Sequence, residues 1–126
     1  MTGPADLGGD WDGIYNYPRL LPPIAFAATL RDHGGALSGE SSETDREGTR
    51  FALIEGQRAG SSVTFTKSYD DGQASVVHYA GALNGDATEI TGTWRIPGNW
   101  SGTFIMVRRP GEAEAVEREA AETVTR

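Results

Sequence analysis

Over much of the chain, apolar and polar side chains take turns at every second position. In Ile24-Ala-Phe-Ala-Ala-Thr-Leu30 one set holds Ile24, Phe26, Ala28 and Leu30. Val63, Phe65 and Lys67 alternate with Thr64 and Thr66, and Ile90, Gly92 and Trp94 with Thr91 and Thr93. Gly102, Phe104 and Met106 alternate with Thr103, Ile105 and Val107. A period of two with threonine on the other side marks a strand with one face buried. The pattern predicts eight strands, at about 10–17, 24–31, 36–42, 50–56, 61–69, 75–83, 87–96 and 100–109.

Turn residues separate these strands at a nearly constant interval. Gly34-Gly35, Gly48, Gly60, Gly72, Asn84-Gly85 and Pro97-Gly98 recur every 12 or 13 residues. Connections this short make neighbours antiparallel. Eight such strands in an open sheet would leave two unpaired edges, and closing the sheet removes both. The expected fold is therefore all-β: an eight-stranded antiparallel up-and-down barrel. A barrel of that size holds its own side chains or one small ligand.

Two segments depart from the rhythm. Pro18-Arg-Leu-Leu-Pro-Pro23 joins the first two strands and reads as a stiff cap over one end, or as an oligomer contact. Residues 110–126 read as an acidic tail, helical or disordered. Five Glu against two Arg give it a charge of −3, and Val116 and Val124 are too few to bury a face. The division is an N-terminal extension at 1–9, a barrel domain at 10–109 and the tail.

Composition narrows the chemistry. The chain has 126 residues, enough for one domain that folds without disulfide or metal. It has no Cys, which removes thiol catalysis and thiolate zinc sites and fits a reducing compartment. The net charge of −7 speaks against nucleic acid and anionic membranes as partners. Residues 1–9 have no basic and no apolar region of a signal peptide, and no apolar run approaches a membrane span, so the expected setting is cytoplasmic. Two distant histidines do not make a zinc site, and Glu40, Glu43, Asp45 and Glu47 lack calcium-loop spacing. That acidic run reads as a solvated loop, Asp70-Asp-Gly72 as a hairpin turn, and no metal or cofactor is expected. No nucleophile elbow and no phosphate-binding loop is present.

The alternation assigns an inward set: Trp11, Gly13 and Tyr15; Phe26 and Ala28; Val63, Phe65 and Lys67; Val77, Tyr79 and Gly81; Ile90, Gly92 and Trp94; Gly102, Phe104 and Met106. Glycines facing aromatics either let rings lie flat inside a filled barrel or leave a cavity. Lys67 is the only lysine among eleven basic side chains. It either reaches solvent at its strand end or points inward, where it could meet a ligand carboxylate, donate a proton or form a Schiff base. Glu40 and Glu55 are the expected internal partners. His78 points outward on this phase; a shift of one would bring it in, as an acid or base, and turn Tyr79 out. His33 falls in a turn and reads as solvated.

Gly9-Asp-Trp11, Gly35-Ala-Leu-Ser-Gly39 and Ile90-Thr-Gly-Thr-Trp94, in that order, resemble the avidin and streptavidin family and, more loosely, the calycins. The resemblance spans about residues 8–108 and implies an up-and-down barrel of the streptavidin or lipocalin type with a ligand in its mouth, often assembled as a dimer or tetramer. It also implies the biotin contact positions, and most are not retained. They fall on Gly13, Tyr17, Ser41, Glu43, Phe65, Ser75 and Val77, with only Trp94 kept and Ser75 a weaker match. A buried polar ligand needs each of its hydrogen bonds met, so biotin is not the expected ligand.

The expected function is a barrel that binds a small, partly apolar molecule at one mouth. Its contacts would be Trp11, Tyr15, Tyr17, Phe65, Lys67, Tyr79, Trp94 and Trp100. One alternative is a small barrel enzyme of isomerase or cyclase type, with Lys67, His78 or Tyr79 as catalytic candidates. The other is a filled, homo-oligomeric barrel that acts through its outer face or its tail.

Overall fold

The computed structural model of the chain describes residues 6–18, 21–45, 48–69, 76–98 and 100–110. Eight strands run in order: β1 (Gly9–Asn16), β2 (Ile24–His33), β3 (Ala36–Asp45), β4 (Gly48–Ala59), β5 (Ser62–Tyr69), β6 (Val76–Leu83), β7 (Glu89–Arg95) and β8 (Ser101–Arg108). Each pairs antiparallel with the next, and β1 also pairs with β8, which closes the barrel. No helix occurs among the described residues, and none is therefore long and apolar enough to cross a membrane. The tail from 111 onward, Leu20, Ser75 and the Asp70–Gly72 turn lie outside the described residues.

Alternation along each strand fixes which side chains are inside. Trp11, Gly13 and Tyr15 are buried on β1 while Asp12 and Ile14 are exposed. On β6, Val77 and Tyr79 are buried; His78 is half-buried on the outer side. The central hairpin turns use left-handed backbone that suits glycine, as at Gly34 (φ 64°) and Gly60 (φ 61°).

Interior Gly13 and Gly102 admit rings rather than leave space. A Cβ on Gly13 would fall 2.2 Å from Phe26 Cζ, because the Phe26 ring lies against this position. Gly102 does the same for Trp94: a Cβ there would meet the indole at 2.7 Å. The indole N–H donates to Asn16 O at 3.0 Å, so ring and strand are joined. Most of the barrel is thereby filled.

One end is closed by the segment before β1. Leu7 is completely buried in the core. Its amide donates to Asp32 Oδ2 (3.0 Å) and its carbonyl accepts from Trp11 Nε1 (3.0 Å). Asp32 also accepts from Gly35 N and pairs with Arg58 Nε at 3.1 Å. Trp11 packs beneath the Arg108 guanidinium on this closed end.

Candidate functional site

The opposite end, where β1, β3, β5 and β7 finish, keeps a cavity of about 80 Å³. Tyr15, Tyr17, Arg50, Tyr69, Val77, Tyr79, Trp94 and Ile96 line it. The rings brace one another edge to face. Tyr17 meets Tyr15 at 5.8 Å and Trp94 at 5.5 Å between centroids, and Tyr15 meets Trp94 at 5.8 Å. Such pairs add to the hydrogen bonds of Tyr15 and Trp94 in holding the aromatic walls in place.

A carboxylate backs this wall. Glu43, only 6% exposed, accepts from Tyr15 Oη at 2.5 Å and from Tyr69 Oη at 2.7 Å. Burial, with the Glu43 carboxylate second, pushes both phenols far above their ordinary range. Both stay protonated and keep donating to Glu43. Arg50 lies over the Tyr69 ring, 4.1 Å from its centroid.

Lys67 lies next to this cluster, with 0% exposure. Its ammonium nitrogen has no hydrogen-bond partner among the described residues. It faces three rings instead: Phe26 at 3.5 Å, Tyr79 at 4.8 Å and Tyr15 at 5.5 Å from the centroids. Loss of water brings its pKa down to about 7, against a counter-pull from Glu43 and a smaller push in the same direction from Arg50.

The acid–base arrangement differs from expectation in two ways. Glu43 does not belong to a solvated loop. β3 runs on to Asp45, and the parity of Leu37, Gly39 and Ser41 carries Glu43 to the inside. Glu40 and Glu55 are not internal partners of Lys67. Both are exposed on the outer parity, and Glu40 pairs with Arg31 on the surface. Lys67 does not reach solvent at its strand end.

Of the predicted contacts, Tyr15, Tyr17, Tyr79 and Trp94 meet at the mouth, and Lys67 lies just beneath it. Phe65 is one layer deeper, stacked on Tyr79 at 4.7 Å with an interplanar angle of 8°. Trp11 is at the closed end. Trp100 stands outside the cavity, edge-on to Tyr17 at 5.5 Å. His78 is on the outer face, across the strands from Thr66 and Arg95 and away from the cavity. Glu43, Arg50 and Tyr69 complete the site without having been predicted as contacts. Their parity was the available signal, since each shares a face with a buried neighbour two residues away.

No cluster of three or more potential metal ligands occurs among the described residues. No protein-family model matches the sequence, and no curated protein matches it. Among solved structures the chain is similar to a designed protein described as "De novo design of a fluorescence-activating beta barrel". The TM-score is 0.57 at 9% identity, over 81% of this chain and 93% of that one. The likeness is one of fold: a closed eight-stranded antiparallel barrel.

Proposed function

We propose that the protein binds a compact, partly apolar small molecule at the barrel mouth. The observation that carries this reading is the juxtaposition of an aromatic-walled cavity with a buried amine that has no hydrogen-bond partner among the described residues. Burying an amine with no hydrogen-bond partner among the described residues costs the fold free energy, and a ligand that uses the amine would offset that cost. Drug-sized ligands fill about 300–1,000 Å³. The 80 Å³ here accepts one small end of a molecule, with the remainder in the open mouth. Tyr15, Tyr17, Tyr79 and Trp94 supply contact area and Lys67 directs a carbonyl or anionic end. The resemblance to avidin-like barrels supports a mouth-binding mode, and their unretained contacts argue against biotin. A cysteine-free chain suits a cytoplasmic setting.

Native mass spectrometry of the purified protein, repeated after denaturation, tests the reading together with Trp emission titrations using compact aromatic alcohols, aldehydes and acids. A mass excess lost on denaturation, or a saturable emission change, supports it. The bare chain mass combined with flat titrations overturns it.

A second reading is association of two or more copies through the outer sheet face. Phe51 (55% exposed) and Leu53 (63% exposed) stand on outer positions of β4. Exposed Val76 lies two strands away, in register with Leu53 through Ser68. Light scattering would show a single chain mass if this reading is wrong.

A further inference from the structure

We infer that Lys67 takes an aldehyde ligand covalently and reversibly, as an imine formed at the barrel mouth with Glu43 as its counter-charge. This rests on the ligand-binding reading of the same site and names the ligand class.

Three features of the geometry carry it. The first is the root of the side chain. Lys67 pairs across the strands with Val77 and shares its face with Tyr69 two residues on; both of those line the cavity. The amine now rests against Phe26, beside Tyr15 and Tyr79, which also line the cavity. Lys67 itself does not line the cavity, so the reaction requires its flexible four-carbon stem to swing the nitrogen up between these rings.

The second feature is the protonation state. An amine held near 7 by burial has a large unprotonated fraction at neutral pH, which is the nucleophilic form. No hydrogen bond to a described residue has to be broken to release it.

The third feature is the charge already in place. Glu43 stands behind the wall, fixed by Tyr15 and Tyr69, which line the cavity. A carboxylate ligand would bring a second negative charge near Glu43, which offsets part of its attraction to Lys67. A neutral carbonyl avoids that repulsion. Its imine, once protonated, places a positive charge where Glu43 can answer it.

The step balances without an oxidant or a reductant. The Lys67 nitrogen adds to the carbonyl carbon and forms the C–N bond as the C=O π electrons move onto oxygen. The two N–H hydrogens leave with that oxygen as water, and the C=N bond forms. Aldehyde plus amine gives imine plus water, and added water reverses it. Closely packed aromatic walls keep water scarce and favour the condensed side.

The single lysine makes the test sharp, because the N-terminal amine is the one other primary amine. The full chain is incubated with benzaldehyde or cinnamaldehyde, reduced with borohydride, and its intact mass and peptides are measured. Binding of benzyl or cinnamyl alcohol is followed in parallel by Trp emission. The expected result is one reduced aldehyde per chain, located on Lys67 and lost in Lys67→Met and Lys67→Arg, whose near-UV circular dichroism checks the fold. Alcohol binding with no adduct, or with the adduct on the N-terminus alone, overturns the imine and leaves the mouth-binding reading standing. Failure of both alcohol and aldehyde removes both.

Discussion

Lys67 Nζ lies 3.5 Å from the centroid of the Phe26 ring, the nearest of the three rings around it. An ammonium over a ring face gains attraction from the ring quadrupole, but less than it loses by leaving water. The contact therefore holds the amine in place without fully stabilising its charge.

Replacing Lys67 by Met should stabilise the protein, in a pH-dependent way. The amine ordinarily titrates at 10.5 and in the fold at about 7. Between those values the unfolded chain holds the proton and the folded one does not. Stability of the wild type therefore rises with pH through that window. Lys67→Met should be more stable at pH 7 by roughly 1–4 kcal/mol. The gap should close toward pH 10.5. The phenols of Tyr15, Tyr69 and Tyr79, raised by burial, act in the opposite sense above pH 10.0 in both proteins, so the difference between the two isolates Lys67. Charged Glu43 and Arg50 are common to both as well. Urea unfolding across the window checks this, and a gap that ignores pH would contradict the desolvated amine.

Glu43→Gln should lower the Lys67 pKa further, since the carboxylate is what pulls it upward. It also weakens two hydrogen bonds, because only one amide atom of Gln can accept from Tyr15 and Tyr69. A loss of about 1–3 kcal/mol is expected for these buried groups. A chain with one lysine gives one labelled side-chain carbon resonance, so the titration can be followed directly by NMR. An unchanged or higher Lys67 pKa would show that Glu43 does not act on the amine.

The strands and their inner faces were legible because alternation is a property of each strand alone. Lys67 could be put in line with Val63 and Phe65 from spacing, and Tyr79 in line with Val77. Two things needed the assembled barrel. Whether Lys67 has a partner depends on Phe26, Tyr15, Tyr79 and Glu43, which come from β1, β2, β3 and β6. Whether facing glycines leave a cavity depends on how rings cross between strands, and Phe26 over Gly13 fills the space. Glu43 was hidden differently: four acids between residues 40 and 47 look solvated as a group, although one of them carries the parity of a core strand.

Gly13→Ala tests the support of the site from below. Its Cβ would lie 2.2–2.6 Å from three atoms of the Phe26 ring, in a strand position paired with Phe26 itself. The ring must move, and the amine loses its cage. Thermal unfolding should show a cost of roughly 1–3 kcal/mol, as for other overpacked cores. The Lys67 resonance should shift as well. A variant with wild-type stability and an unmoved resonance would mean that Phe26 does not position the amine.

The closed end should weaken in acid. Asp32 is buried, which alone would raise its pKa, but donation from Leu7, Gly35 and Arg58 outweighs this and holds the carboxyl below 3.8. Its folded value is depressed, so its contribution is present above 3.8 and is lost as pH falls through the lower, folded value. Asp32→Asn leaves Arg58 with its charge unanswered, at 6% side-chain exposure against 2% for Asp32. Breaking one side of such a buried pair costs about 3–5 kcal/mol. Leu7→Ala keeps the ion pair and removes only the buried side chain, at about 2–5 kcal/mol. The two differ in their pH response. The deficit of Asp32→Asn should shrink below pH 3.8, where the wild type loses the same charge, while that of Leu7→Ala should not. Guanidinium unfolding at neutral and acid pH separates them. Equal deficits at both pH values for Asp32→Asn would show that the carboxylate does not hold the closed end together.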